Sequence, residues 1–323
     1  MPPAVPRVTV IIPAYNSADV LPEALRSVQA QTSDDWEVVV CDDGSTDNTA
    51  EVAERFGERF RVIRNERNLG PAGARNRALG AASGELIALL DADDYWLPEY
   101  LEEQVSFYEA SEMEQPGVGV VTCDAVIVGP DGPVEGTLRD RVPFPSRPTL
   151  AKLLVKNTIY GSSLLPRAIA EEVDGFSPEC AEDHDLWVKI LECGYRPVCN
   201  PKAVAVYRLR EGSRSSNLLG MARNWQALER LALERGRLRW WERRIAHREL
   251  RYYQLLEDIA EIRIQRASGG RVSPSRVVHA APRLAVVALE NPMRWIRLIG
   301  RLIGGKGSLM QRLIPGRGEV LAD

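Results

Sequence analysis

Leu86-Ile87-Ala88-Leu89-Leu90-Asp91-Ala92-Asp93-Asp94 decides how this chain is built. Five apolar residues, set between Gly84 and Pro98, make a run too short for a helix and suited to a buried strand. Three carboxylates follow at its end. Side chains two apart on extended backbone point the same way, so Asp91 and Asp93 can face one ligand. Crowded carboxylates repel unless a cation sits among them. Hard ions such as Mg²⁺ or Mn²⁺ use one or two carboxylates together with phosphate oxygens, which makes the segment a candidate metal–diphosphate site. Standing alone, an Asp-x-Asp pair is more often a solvated loop capping the next helix, so the rest of the chain must decide.

Upstream, residues 8–12 form a β-rich run ended by Pro13, and residues 37–41 a second ended by Asp42-Asp43-Gly44. Between them Leu21, Leu25 and Val28 recur at the i, i+4, i+7 spacing of one helix face. Residues 47–56 read as a helix, 61–64 as a short strand and 71–82 as an Ala-rich helix entering the 86–90 strand. This alternation predicts an α/β fold with a mostly parallel central sheet flanked by helices. Ligands bind such sheets outside the carboxyl ends of the strands, where Tyr15, Asn16, Asp42, Asp43, Asp91 and Asp93 all fall. Downstream, residues 98–111 read as a helix, 118–128 as a strand and 129–149 as a Gly/Pro-rich loop. A helix over 149–156, a strand over 161–165, a helix over 185–193 stopped by Gly194 and a last strand over 204–209 follow. A Ser/Gly loop at 212–217 leads into amphipathic helical segments over 218–265, broken by Ser268-Gly269-Gly270.

With 323 residues, 45% hydrophobic and 27% charged, the chain has the make-up of a soluble protein with one large domain and an appendage. The boundary is set at residue 217, giving a domain over 1–217 and a helical region over 218–323. A net charge of −4 hides an asymmetry: beyond residue 217 Lys and Arg outnumber Asp and Glu by about two to one. A basic tail on an acidic body points to anionic surfaces, lipid head groups or nucleic acid. The five cysteines are odd in number and form no Cys-x-x-Cys pair, which argues for a reducing compartment and against a thiolate zinc site. Residues 1–7 hold no apolar core of a secretory signal, and no uninterrupted apolar run reaches the about 18 residues that span a bilayer.

Taken together, Pro13-Ala14-Tyr15-Asn16, Asp42-Asp43-Gly44-Ser45-Thr46-Asp47, Asn68-Leu69-Gly70 through Ala74-Arg75-Asn76, and Asp91-Ala92-Asp93-Asp94 resemble the family-2 inverting glycosyltransferases, which carry the nucleotide-sugar-binding fold called GT-A. The resemblance covers about residues 7–217, and its strength lies in the order of the segments. It implies a donor site made by Pro13, Ala14, Tyr15, Asn16, Asp42, Asp43, Arg75, Asp91, Ala92 and Asp93. In it Asp43 would accept the uracil N3–H, with Asp42 beside it. Tyr15 would lie against the base or pack half-buried. Arg75 would reach the diphosphate or brace the Asp cluster. Asp93 would be the direct ligand of a Mg²⁺ or Mn²⁺ cofactor, and Asp91 would hold the ribose or a metal-bound water. Asp94 is an outer-shell group or a helix cap.

The second element the resemblance picks out is Glu182-Asp183-His184-Asp185-Leu186-Trp187. Displacement at the anomeric carbon needs a base for the acceptor hydroxyl, and the match puts that role on Asp183. Glu182 and Ser162 fall on the acceptor side, the latter in Asn157-Thr158-Ile159-Tyr160-Gly161-Ser162-Ser163. Trp187 is either an acceptor platform or core, and His184 is a bystander. The loop Tyr207-Arg208-Leu209-Arg210-Glu211-Gly212-Ser213 resembles one that closes over the donor. Arg210 stands where many relatives carry a histidine. That departure puts a histidine metal ligand in doubt and leaves Arg210 to meet the diphosphate charge.

The expected activity is transfer of a sugar from a nucleotide donor, UDP-linked, to a hydroxyl of a glycan or lipid-linked acceptor, in the cytoplasm at the inner membrane face. A non-catalytic nucleotide-sugar-binding protein of the same fold is the alternative; it would lack the base or break the Asp cluster, and neither is seen. A nucleotidyltransferase would need a Gly-rich basic phosphate loop after the first strand, which Pro13-Ala14-Tyr15-Asn16 is not. Residues 292–303 alternate arginines with apolar side chains at helical spacing, as in a helix lying peripherally on a membrane, docked on its own domain or joining an oligomer. The Arg/Trp stretch 235–251 has charge for nucleic acid but no reading motif, so no nucleic-acid partner is expected.

Overall fold

Val10, Ile11 and Ile12 are wholly buried in strand β1 (Val8–Ala14), because a strand held between two parallel neighbours is covered on both faces. Those neighbours are β2 (Trp36–Asp42) and β4 (Leu86–Leu89), with β3 (Phe60–Arg64) beyond β2. Ala14 pairs with Asp42, and Asp42 with Arg64, so strand ends are level along one edge. The computed structural model describes residues 5–210 and 217–267. They form two units: the first runs to Leu209 except for residues 154–156 and 179–181, and the second takes those pieces and the chain from Arg210.

In the first unit, α1 (Leu21–Gln29), α2 (Thr49–Glu54) and α3 (Gly70–Leu79) link the parallel strands as expected for crossovers. Leu21, Leu25 and Val28 are fully buried, the face that their spacing announced. Pro22 and Pro71 each sit in a first turn, where a missing N–H costs nothing. Beyond β4 the sheet turns mixed: its order is β3-β2-β1-β4-β8-β6-β9-β5, with β7 on β6. Here β5 is Tyr95–Trp96, β6 Val118–Gly129, β7 Gly132–Thr137, β8 Leu164–Pro166 and β9 Arg196–Arg208. The helices α4 (Tyr100–Glu114), α5 (Leu138–Arg141), α6 (Leu150–Val155), α7 (Arg167–Glu172) and α8 (Glu182–Glu192) complete it.

Three local expectations change. Residues 129–149 are not all loop: Gly132, at φ 111°, turns β7 back on β6 as a hairpin, and Thr137 with Asp140 forms a capping box opening α5. The last strand starts at residue 196, not 204. Pro201 had concealed its first half, and it lies where Cys123 pairs with Asn200 but Asp124 with Ala203, a bulge that removes the proline from the ladder. The helix expected from residue 185 starts at Glu182, which brings two more carboxylates into its first turn.

In the second unit, α9 (Leu218–Arg235) ends at Gly236 in the left-handed conformation (φ 72°), and α10 (Trp240–Ala267) returns against it. Ala222, Tyr252, Tyr253, Leu255, Leu256 and Ile259 form their core. Arg223 bonds Glu257 and Glu261 across the pair. No helix among the described residues is long and apolar enough to cross a membrane. The stretch 292–303 and the break at 268–270 lie outside the described residues.

Candidate active site

Polar groups gather where β1, β2 and β4 end, in three neighbouring parts. The first is the pair of loops after β1 and β2. Ala14 is buried, and its carbonyl accepts the Asp43 N–H at 2.8 Å. Pro13 is half-buried and Tyr15 is 47% exposed, open to solvent on this edge. Asn16 takes a left-handed φ of 47°, tolerated because its short side chain bonds locally. Its N–H donates to Ser45 Oγ (2.9 Å) and its Oδ1 accepts the Thr46 N–H (2.8 Å), so Asn16 clamps one loop to the other. Asp42 Oδ1 accepts the Ser45 N–H at 3.1 Å. Buried Asp43 receives both Asn65 Nδ2 (2.7 Å) and the Leu69 N–H (2.9 Å) on Oδ1. These two donors hold the carboxylate through one oxygen.

Gly44 holds that loop in shape. It sits at φ 72°, and a Cβ there would lie 2.8 Å from the Arg67 carbonyl carbon, a contact with backbone that cannot swing away. Gly44→Ala is therefore expected to cost about 2 kcal/mol, combining left-handed strain with the clash. A lower urea midpoint at unchanged m-value would report it; an unshifted midpoint would contradict the assignment.

The second part is the carboxylate turn. The Asp94 N–H closes it on the Asp91 carbonyl at 3.1 Å. Asp91 and Asp93 are half-buried, while Ala92 and Asp94 are buried. Asp94 accepts the Tyr160 hydroxyl on Oδ2 (2.6 Å) and the Arg208 N–H on Oδ1 (2.9 Å), so it ties the turn to the 157–163 segment and to the end of β9. Burial first, then the Asp91 charge, push its carboxyl well above the usual range. A Cβ on Gly161 would lie 3.7 Å from Asp91 Oδ2, so the 157–163 segment borders the cluster. Ser162 is buried beside it.

Arg75, buried on α3, is the third part and joins the rest. Its Nη2 donates to Asp91 Oδ1 at 2.5 Å and its Nη1 to Glu182 Oε1 at 2.6 Å. Its guanidinium lies 5.6 Å from the Phe176 ring centroid. Asp183 follows Glu182, half-buried, and Asn157 Nδ2 donates to it at 3.4 Å. Burial, then repulsion by Glu182, raise the Asp183 carboxyl to about 6, against the opposing pull of Arg75.

Other candidates fall elsewhere. Trp187 has 0% exposure, so it offers no face to a sugar and serves as core. His184 is buried and its Nε2 lies 2.7 Å from the Leu153 carbonyl, which makes that nitrogen the N–H donor; burial holds its pKa down to about 4. Arg210 is exposed and belongs to the second unit. Asn65 and Tyr160 were not singled out beforehand. Asn65 could have been found as the polar residue directly after β3, as Asp43 is after β2; nothing in the sequence links Tyr160 to Asp94.

The family model described as glycosyl transferase family 2 matches residues 9–173. An Escherichia coli protein, UDP-Glc:alpha-D-GlcNAc-diphosphoundecaprenol beta-1,3-glucosyltransferase WfgD, is 34% identical over 68% of this chain and 85% of its own. Among solved structures, mannosyltransferase PcManGT from Pyrobaculum calidifontis in complex with GDP-Man and Mn²⁺ superposes with a TM-score of 0.59 and 26% identity, covering 91% of this chain and 83% of that one. S. aureus TarS 1-349 in complex with UDP-GlcNAc shares the fold at 22% identity and a TM-score of 0.59, over 96% of this chain and 82% of that one. This chain spans 43% of the longer TarS chain.

Proposed function

This chain belongs to glycosyl transferase family 2, and on that premise we propose that it moves a sugar from a nucleoside-diphosphate donor, UDP-linked, to a hydroxyl of a glycan or lipid-linked acceptor by single displacement with inversion. One observation supports this above the rest: Arg75 holds Asp91, at the carboxylate turn, and Glu182, next to the proposed base, with its two terminal nitrogens. A displacement needs a leaving-group site and a base on opposite sides of one carbon, and a single guanidinium spans the residues proposed for each.

In this proposal residues 1–217 are the catalytic domain, and the region over 218–323 works at the membrane or joins an oligomer. Asp43 accepts the uracil N3–H on the oxygen not used by Asn65 and Leu69, while Tyr15, half exposed, lies against the base. The WfgD name gives a UDP-sugar donor and a diphosphoundecaprenol acceptor for that protein, which favours UDP here, whereas the PcManGT complex holds GDP-Man. The acceptor approaches along Ser162 and Glu182, with Asp183 taking its hydroxyl proton.

For a divalent ion, the donor set is two half-buried carboxylates, Asp91 and Asp93; among the described residues no three His, Cys, Asp or Glu gather into a closed cage. Such an open pair fits Mg²⁺ or Mn²⁺, ions that keep water and substrate phosphate oxygens in their shells, and the PcManGT complex contains Mn²⁺. When bound, the ion would neutralise charge growing on the departing diphosphate.

The test is release of nucleoside diphosphate across a panel of nucleotide sugars with Mg²⁺ or Mn²⁺, followed against pH. The base works only when ionised, so kcat/KM should climb about tenfold per pH unit below about pH 6 and level off above it. A flat profile through that window would remove Asp183 as the base. No turnover of any donor would favour the non-catalytic alternative.

A further inference from the structure

The start of α10 carries an exposed surface that the proposed reaction does not use. Trp240 and Trp241 are 68% and 40% exposed and adjacent, whereas the other exposed large apolar residues among those described, Val5, Tyr15, Leu69, Met113 and Ile264, stand singly. Arg237, Arg239, Arg243 and Arg244 are exposed around them. Within residues 237–244 the one acid, Glu242, is turned inward, while Glu234 just before them is exposed. Buried Glu242 accepts the Arg239 N–H at 2.8 Å, and wholly buried Glu249 accepts Arg248 at 3.0 Å. The outward face is therefore tryptophan and arginine.

We infer that this face docks on an anionic phospholipid bilayer. Tryptophan has an apolar body and a polar N–H, and it concentrates where hydrocarbon meets head groups. Arginines beside it are drawn to a negative membrane surface. Two rival occupants fit less well. The indoles meet edge to face (5.6 Å, 90°) and Arg239 lies 5.3 Å over the Trp241 ring, so the pair does not offer two open parallel platforms for stacked bases. A second copy meeting this patch about a two-fold axis would set arginines against arginines. The inference rests on the lipid-linked acceptor proposed above, which a bilayer-docked enzyme could reach.

The experiment compares full-length wild type with Trp240→Ser/Trp241→Ser and Arg243→Glu/Arg244→Glu in sedimentation with phosphatidylcholine vesicles, with or without phosphatidylglycerol. Wild type should pellet with the phosphatidylglycerol vesicles alone, and less at high salt. The arginine variant should bind more than about thirtyfold more weakly, because loss of two attractive charges alone implies that factor and two repulsive ones are added, and the tryptophan variant should also detach. Turnover of a nucleotide sugar in solution should be unchanged in both, which separates this inference from the transferase proposal. Vesicle binding by either variant equal to wild type would overturn it. So would variants that lose RNA binding or dimerisation while keeping vesicle binding.

Discussion

Asp183→Asn is expected to lower transfer by about 10²–10⁴-fold while leaving donor KM nearly unchanged, the range for removing a positioned general base. The substitution keeps shape and removes proton affinity. It should leave the fold intact, and the pH dependence of stability gives an independent check. The folded carboxyl is raised from 3.8 to about 6, so the native state holds its proton at pH values where the unfolded chain has released it. Stability from this group is present below about pH 3.8 and is lost as pH rises through about 6. Asp183→Asn should therefore melt no lower than wild type above pH 6, and the stability difference should shrink in acid. Transfer by the variant within a few-fold of wild type would remove Asp183 from the reaction. A large fall in melting temperature at neutral pH would recast it as a structural cap.

Arg75→Met should be the most destabilising single change in the site. It takes the Arg75 guanidinium from buried Glu182, whose side chain is 6% exposed, and losses of about 3–5 kcal/mol follow from breaking such a buried ion pair. Asp91 is 42% exposed, so its half of the bridge is screened and adds little. Two controls separate the charge effect from packing. Arg75→Met combined with Glu182→Gln should recover much of the loss, because the buried Glu182 charge goes with its partner. Arg75→Lys should recover only part, since a point ammonium cannot serve two carboxylates as a fork does. Arg75 also pulls the Asp183 carboxyl down, so in folded Arg75→Met the acid limb of the rate profile should move to higher pH, and in the double variant the lost Glu182 repulsion should oppose that shift. A urea midpoint for Arg75→Met close to wild type, or a double variant no better than the single, would contradict the bridge.

Much of the first hundred residues was legible because the relevant physics is local. A parallel strand covered on both faces reads as an uninterrupted apolar run, so β1 and β4 and the polar residues just past them stand out. The first half of β9 did not, because Pro201 reads as a strand breaker until its bulge is seen. β7 was hidden by Gly132, Pro133 and Gly136, residues that mark loops in most settings. The decisive contact, Arg75 with Glu182, joins residues 107 apart in the chain, and no local pattern encodes such a distance. The same holds for Tyr160 on Asp94, 66 residues apart. Trp187 was ambiguous because helical spacing identifies a face without saying which neighbour covers it; α8 buries it wholly.

The central claim is that the carboxyl ends of β1, β2 and β4 receive a nucleotide sugar. Calorimetric titration of the intact protein with UDP-sugars and other nucleotide sugars, with Mg²⁺ or Mn²⁺ supplied, tests it most directly. Saturable heat with at least one donor, weakened when the ion is chelated, is the predicted result. Absence of binding heat for every nucleotide sugar, with and without the ions, would contradict the claim.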